Sequence, residues 1–233
     1  MAKKRILLKL TGEVFGKQHE PFSADTIVNL IGQIKELKST HQLSIVIGGG
    51  NFFRGSKQGK ELGLATKSAH QVGMLATIMN GIMLQDLFEK HGVSTELFSA
   101  ISCPQVAKVI NQQAINTALD ESKTILFAGG TGSPFFTTDT NAVLRSLQIS
   151  ADEIWKGTSI DGIYTKDPAK NPDAQRIEKI TYAEAIKQRL GIMDLTAYSM
   201  AQQHKQRIRI FNIFAPNALH NAAQDSNFGS IIE

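Results

Sequence analysis

Gly129-Gly130-Thr131-Gly132-Ser133-Pro134-Phe135-Phe136-Thr137-Thr138-Asp139 follows the apolar run 124–128 and precedes the apolar spacing of residues 142–147. The run reads as a buried strand, and the spacing, free of Gly and Pro, reads as a helix. Strand, glycine turn and helix start, in that order, mark an α/β unit and bring backbone N–H groups close to an anion. Glycines at 129, 130 and 132 permit positive φ and present no Cβ, while Thr137, Thr138 and Asp139 are each competent N-caps. The free N–H groups and the dipole of the helix start favour a phosphate. Pro134-Phe135-Phe136 adds a stiff apolar wedge on which a base or sugar can rest. A lone glycine turn is ordinary in α/β proteins, so the reading depends on the rest of the chain.

Residues 43–47 form another apolar run, ending in Gly48-Gly49-Gly50-Asn51 and followed by Phe52-Phe53-Arg54-Gly55. Three glycines at the carboxyl end of a strand make a second backbone cradle, and the planar fork of Arg54 suits a phosphate bidentately. Residues 5–10 make a first strand that carries Lys9 near its end, directly before Thr11-Gly12-Glu13. Burying a lysine there is costly unless its head reaches an anion, which makes Lys9 a candidate phosphate ligand. Taken alone, it reads better as a lysine snorkelling at the sheet end. Neither turn is a P-loop: Gly50 and Gly55 have the four-residue gap, but Ser56-Lys57 reverses the required order. No G-x-G-x-x-G fingerprint follows the first strand.

The remaining elements alternate. Ser23 caps a helix over 24–38; the charged, glycine-rich stretch 56–66 is expected to be mobile; and a long helix runs over 69–90. Its methionines, Met74, Met79 and Met83, read as core filler on a wide apolar face. A strand over 95–98 and a helix from 110 or 111 to 121 lead back to the central strand. After the organising turn, 153–156 is a strand holding Trp155, and then Asp161-Gly162 signals the turn of a hairpin. Thr158, Tyr164 and Asp167 on that hairpin suit a base and ribose, with Lys156 reaching phosphates; an ordinary surface hairpin explains the same residues. A strand over 176–180, a helix capped by Thr181 and reaching 190, a helix over 195–204 capped by Asp194, and strands at 208–211 and 230–232 complete the chain. The alternation predicts an α/β fold, a three-layer αβα sandwich with a mainly parallel central sheet. Ligands of such sheets bind at the carboxyl ends of the strands, where Lys9, both glycine turns and Lys156 fall.

The 233 residues, 42% hydrophobic and without a visible linker, are expected to form one domain over 1–233. The single Cys103 forbids an intrachain disulfide. The basic start Met1-Ala2-Lys3-Lys4-Arg5 leads into an apolar run broken by Lys9, too short for a signal peptide, and no stretch approaches a membrane span. A cytoplasmic protein is expected. A net charge of +4 leaves nucleic-acid binding open, but the cations are scattered and not interleaved with aromatics, so an enzyme with anionic substrates is preferred.

The order of these segments resembles one family. Lys9-Leu10-Thr11-Gly12-Glu13, Gly48-Gly49-Gly50-Asn51 with Phe53-Arg54-Gly55, Gly73-Met74-Leu75-Ala76-Thr77, Thr131 to Asp139, Asp161-Gly162-Ile163-Tyr164 through Asp167-Pro168, and Met193-Asp194-Leu195 look like the bacterial uridylate (UMP) kinases of the amino acid kinase superfamily. The likeness covers nearly the whole chain. It implies magnesium-dependent phosphoryl transfer from ATP to UMP in pyrimidine nucleotide synthesis, inhibition by UTP, and a homohexamer built from dimers. Carried residue by residue, it implies ATP binding by Lys9, Leu10, Thr11, Gly12, Gly50, Arg54, Thr158, Tyr164 and Asp167. It implies UMP binding by Gly49, His70, Thr131, Gly132, Ser133, Pro134, Phe135, Phe136, Thr137 and Thr138, with the acceptor part over about 1–150 and the ATP part over about 151–233. Lys9, Arg54, Asp139 and Lys156 are the expected catalytic set, Asp139 orienting either Lys9 or a magnesium-bound water; no protein ligand set for a resident metal is expected.

Three departures stand out. His70 replaces the aspartate with which many relatives bind the UMP ribose, so a donor stands where an acceptor is usual. Lys17-Gln18-His19-Glu20-Pro21 lacks the glycines of relatives activated by GTP, so weak or absent activation is expected. Ser133 stands where asparagine is common. The rival readings are a carboxylate kinase of the same superfamily, against which the Pro134-Phe135-Phe136 wedge argues, and a nucleic-acid-binding regulator, kept as a secondary role.

Overall fold

The computed structural model describes residues 3–16 and 20–233, so the loop residues 17–19 that carry most of the GTP expectation lie outside it. The chain begins with β1 (Lys4–Leu10), a short 3-10 turn (Gly12–Phe15), α1 (Ala24–Leu37) and β2 (His41–Ile47). A π-helical turn (Gly55–Gly59) leads to α2 (Thr66–Lys90), then β3 (Thr95–Ser99), β4 (Lys108–Val109), α3 (Gln112–Asp120) and β5 (Thr124–Ala128). The second half comprises α4 (Thr138–Gln148), β6 (Glu153–Thr158), β7 (Ile163–Tyr164), β8 (Arg176–Ile177), β9 (Lys179–Ile180), α5 (Tyr182–Lys187), α6 (Leu195–Gln203), β10 (Ile208–Asn212), α7 (Ala218–Gln224) and β11 (Ser230–Ile232).

Among the described residues, nine strands form one sheet in the order β4-β3-β5-β2-β1-β6-β10-β11-β9. The pairings are parallel except β10 with β11, as the alternation of elements requires. The pleat divides each strand between two cores. Ile6, Leu8 and Leu10 face α1, α2 and α7, whereas Leu7 faces α3, α4, α5 and α6. In β6, Trp155 joins the first core and Ile154 the second. By the same alternation, Lys9 and Lys156 point to the side of α4, and they are register partners on neighbouring strands.

Several local expectations are corrected. Met79 and Met83 are exposed, with Val72, Leu75 and Ile82, while Ala76, Ile78, Leu84 and Phe88 are buried. Thus α2 carries two apolar stripes, and periodicity alone does not say which one meets the sheet. Asp161-Gly162 does not close a hairpin: it precedes β7, which pairs with β8 across the longer loop 165–175. A Cβ on Gly162 would run into Ser230 Oγ and lie 3.3 Å from Ser230 Cβ, so glycine suits its close approach to Ser230 of β11. The strand expected over 176–180 is split at Glu178, whose carbonyl accepts from Ile231 N–H at 2.8 Å. The helix after Thr181 stops at Lys187, not 190, because Arg189 turns to φ +52°. No described helix is long and apolar enough to cross a membrane.

At the amino ends of the strands, Glu153 is fully buried yet well supplied with donors. Trp155 Nε1 and Arg209 Nε each donate to it at 3.1 Å, and Lys4 Nζ at 3.2 Å. Burial alone would raise its pKa, but the indole hydrogen bond and the charges of Arg209 and Lys4 outweigh it and hold the carboxyl below its ordinary value. A depressed folded-state pKa contributes stability above the unfolded-state value, about 4.3, and loses it as pH falls through the folded-state value. Glu153→Gln is expected to cost on the order of 3 kcal/mol at pH 7 and to flatten the acid side of the stability curve, read by urea unfolding at pH 3 to 7.

Candidate active site

The two glycine turns meet over the carboxyl ends of β1, β2 and β5, but they need glycine for different reasons. Gly129, Gly130 and Gly132 have φ of +72°, +59° and +81°, so this turn uses left-handed backbone. None of Gly48, Gly49 and Gly50 has positive φ. At the first two the constraint is space: a Cβ on Gly48 would lie 2.8 Å from Gly12 N, and one on Gly49 2.8 Å from Gly73 O, whereas one on Gly50 would meet nothing nearer than Arg54 Cγ at 3.9 Å. Gly12 is equally tight, with Gly50 N 2.6 Å from its would-be Cβ. The turns after β1 and β2 therefore touch backbone to backbone.

Between the turns lies a cavity of about 350 Å³, whose walls include Gly49, Gly50, His70, Gly130, Thr131 and Phe136, with Thr137 and Thr138 at one end. The last two belong to the start of α4. Thr137 is the N-cap: its Oγ1 accepts from Asp139 N–H at 3.0 Å and from Thr140 N–H at 3.4 Å. The same hydroxyl donates to Asp194, and Thr140 Oγ1 donates to that carboxylate at 2.9 Å. Asp194 also accepts from Ala197 N–H at 2.9 Å, which caps α6. One carboxylate thus ties two helix starts together.

Asp139, in the first turn of α4, faces both buried lysines. Lys156 Nζ donates to its Oδ2 at 2.8 Å and also to the Ile192 carbonyl, and Lys9 Nζ lies 3.2 Å from its Oδ1. The Lys9 contact is an ion pair that is not aligned as a hydrogen bond, which leaves Oδ1 without a hydrogen-bond donor. Burial alone would raise the Asp139 pKa, but the two ammonium groups outweigh it and hold it below the ordinary carboxylate value. Burial, reinforced by the charge of Lys9, lowers the Lys156 pKa despite Asp139 and Asp194. The expected set of Lys9, Asp139 and Lys156 is therefore one cluster. Arg54 stands apart from it, half-exposed and paired with Glu13; its Cγ lies 3.9 Å from the position of a Gly50 Cβ, so it sits over the second turn.

The other expected residues are placed as follows. Leu10 is a core residue whose strand partner is Gly157, and Thr11 precedes the 3-10 turn that contains Gly12. Thr158 ends β6 and its Oγ1 donates to the Ile160 carbonyl at 2.8 Å. Tyr164 lies on β7 and donates to Asp161 Oδ1 at 2.8 Å; Asp167 lies in the loop beyond, accepting from Ala169 N–H at 3.0 Å. Ser133 accepts through its carbonyl from Thr131 Oγ1 at 3.0 Å, which closes the turn ahead of Pro134. Phe135 is exposed, with φ +74°.

One residue of this site and one link within it are not legible in the sequence. Arg145 of α4 is buried without a carboxylate partner among the described residues; it donates to the Gly130 carbonyl at 3.2 Å and to Gln148 Oε1 at 2.6 Å, and lies 5.7 Å from the centre of the Phe127 ring. Burial lowers its pKa to about 10, so it stays charged at neutral pH and backs the first turn. Asp194 is legible as a helix cap, but its link to Thr137 and Thr140 is not.

A sequence model of the amino acid kinase family matches residues 4–212. The uridylate kinase of Mycoplasma genitalium is 42% identical over 99% of this chain and 96% of its own, and that of Mannheimia succiniciproducens is 42% identical over 98% and 97%. The crystal structure of UMP kinase from Ureaplasma parvum superposes with a TM-score of 0.94 at 34% identity, covering 100% of both chains.

His70 has a definite role in this geometry. Its Nδ1 accepts from Phe135 N–H at 3.1 Å, and the two rings lie 5.6 Å apart. Nδ1 then carries no proton, and Nε2–H is left as a donor at the cavity wall. The bond holds a non-glycine residue in a left-handed conformation that costs roughly 1–2 kcal/mol. In His70→Ala, amide exchange at Phe135 is expected to quicken about tenfold, and in His70→Asn, which keeps an acceptor near the Nδ1 position, to stay near the wild-type rate.

Proposed function

Because the chain belongs to the amino acid kinase family, in its uridylate kinase branch, we propose that it transfers the γ-phosphoryl group of ATP to UMP, giving UDP and ADP in pyrimidine nucleotide synthesis. The observation that carries this reading is the cavity between two glycine turns beside the Lys9–Asp139–Lys156 cluster. Two phosphate-holding turns on either side of one cavity suit a reaction between two phosphates.

The nucleophile is a phosphate oxygen of UMP. The second pKa of such a monoester is about 6, so the group is largely dianionic at pH 7 and needs no general base. Catalysis then consists of positioning and charge neutralisation. Lys9 and Lys156 end neighbouring strands and reach the transferred phosphoryl group from the sheet, Arg54 reaches it from above Gly50, and backbone N–H groups of the turns stabilise its oxygens. Asp139 holds the two lysines apart and fixes their direction. Magnesium bound with ATP would neutralise its phosphates; because such an ion keeps several waters and takes few protein ligands, Asp139, whose Oδ1 lacks an aligned donor, would hold it through one of those waters.

In this reading residues up to about 150 hold UMP and those beyond hold the ATP nucleoside, with Thr158, Tyr164 and Asp167 around it. The exposed stripe Val72, Leu75, Met79, Ile82 and Met83 on α2 supports a homohexamer built from dimers, since a second copy would cover it. Inhibition by UTP follows from the likeness of that pathway end product to UMP. The lone Cys103 accords with a cytoplasmic location.

An ADP-release assay with ATP and magnesium tests the proposal, offering UMP, CMP, dUMP, aspartate and glutamate in parallel. Turnover is expected to be confined largely to UMP; phosphorylation of an amino acid instead would contradict the acceptor assignment. Lys9→Ala and Arg54→Ala are each expected to lower kcat by about 10² or more, with circular dichroism unchanged. A variant that keeps near-wild-type turnover removes its residue from the mechanism.

A further inference from the structure

Two polar side chains on the buried side of α2 have no part in the chemistry described so far. Thr77 is buried; its Oγ1 accepts from Gly129 N–H at 2.7 Å and donates to the Met74 carbonyl at 2.7 Å. Asn80, one turn on, is fully buried; its Nδ2 donates to the Gly48 carbonyl at 2.7 Å and to Asn51 Oδ1 at 2.8 Å. Asn80 Oδ1 accepts in return from Asn51 Nδ2 at 3.0 Å, so the two amides form a reciprocal pair. Thr77 therefore holds the start of one glycine turn, and Asn80 holds the other.

The helix backbone rests directly on the same structures. A Cβ on Gly49 would lie 2.8 Å from Gly73 O and 2.9 Å from Ala76 Cβ, and one on Gly81 would lie 2.7 Å from Leu97 Cδ1 and 3.4 Å from Ala128 Cβ. Hence α2 cannot slide along the sheet without meeting the second turn or the end of β5. The rise between residues three apart in a helix is about 4.5 Å and hardly varies. A rigid element bonded to both turns fixes their separation.

We infer that α2 is the spacer that sets the distance between the two phosphate-holding turns, with Thr77 and Asn80 as its positioning residues. This rests on the reading above, in which one turn holds the acceptor phosphate and the other the donor. It accounts for Ala76 and Thr77 in Gly73-Met74-Leu75-Ala76-Thr77 in physical terms, since the small Ala76 side chain admits the close approach of Gly49 and the Thr77 hydroxyl makes the bond, whereas a Cβ on Gly73 would meet nothing within 4 Å. A spacer acts on the geometry of transfer, where a displacement of about 1 Å costs roughly 10²-fold in rate, and little on the binding of either nucleotide alone.

The test combines kinetics with amide exchange on Thr77→Val, Thr77→Ser, Asn80→Ala and the double variant Thr77→Val with Asn80→Ala, each measured well below its Tm. Thr77→Val and Asn80→Ala are each expected to lower kcat between about tenfold and a hundredfold while both KM values stay within about threefold; Thr77→Ser keeps the wild-type rate. In the double variant the losses are expected to fall short of the product of the single losses, because one spacer is released once. Exchange needs no substrate: Asn80→Ala is expected to quicken it at Gly129, a residue to which Asn80 makes no hydrogen bond. Should Asn80→Ala fail to fold, Asn51→Ala removes the amide pair, together with the Asn51 bond to the Pro21 carbonyl, leaves the Asn80 bond to Gly48 in place, and carries the same expectation at Gly129. Unchanged exchange at Gly129, or losses that multiply independently, overturns the inference. Wild-type protein inert towards UMP overturns the reading beneath it instead, and exchange at Gly129 still decides whether α2 couples the turns.

Discussion

Two lysine ammonium groups buried on neighbouring parallel strands have to be held around a single carboxylate, and the architecture of the carboxyl end of the sheet follows from that requirement. Lys9 and Lys156 are register partners, so their charges repel across one strand spacing unless something stands between them. Asp139 does, and it reaches that place only because the glycine turn after β5 swings the chain over the sheet and starts α4 there. The turn, the N-cap Thr137 and the Asp194 link to α6 are thus parts of one device that delivers a carboxylate. Buried ion pairs of this kind add little net stability, since desolvation offsets most of the attraction. Their presence is better explained by the proposed function, in which the cluster meets anionic substrates.

The two glycine turns reach a similar end by different physics. The turn at 129–132 relies on left-handed backbone, backed by Arg145 and by the Thr77 hydroxyl. The turn at 48–50 has no positive φ and relies on the absence of side chains at Gly48, pressed against the turn after β1, and at Gly49, pressed against the backbone of α2. Helix α2 accordingly has two faces of different character. Its inner face is small and polar where it meets the turns, and its outer stripe of Val72, Leu75, Met79, Ile82 and Met83 is apolar and exposed.

Much of this is legible in the sequence. The alternating elements imply the layers, and the glycine turns with Lys9 and Lys156 locate the carboxyl end of the sheet, because strand runs and glycine clusters are local signals. What is not legible depends on distant partners. The apolar residues of α2 fit one wide face as well as two stripes, so Met79 and Met83, expected in the core, lie on the exposed side instead. Asp161-Gly162 carries a correct local turn signal, yet the partner of the following strand is Arg176–Ile177, beyond a loop that no pattern announces. The two-residue strand Lys108–Val109 is too short for periodicity to register. Asn80 does leave a trace, a lone amide at a buried phase of an apolar helix, and that trace points to a backbone group in need of a partner. The likeness to uridylate kinases makes an aspartate the usual residue at position 70, and only the geometry gives His70 a bond to Phe135.

In the proposed reaction Asp139 serves the transfer step, by fixing Lys9 and Lys156 in place, and does not itself hold either nucleotide. Rapid-quench measurement of a single turnover of ATP with UMP on Asp139→Asn, alongside calorimetric binding of each nucleotide, tests it most directly. The predicted result is a transfer step slowed by about 10² or more with both affinities within about threefold of wild type. Transfer at the wild-type rate, with or without weakened binding, would contradict it.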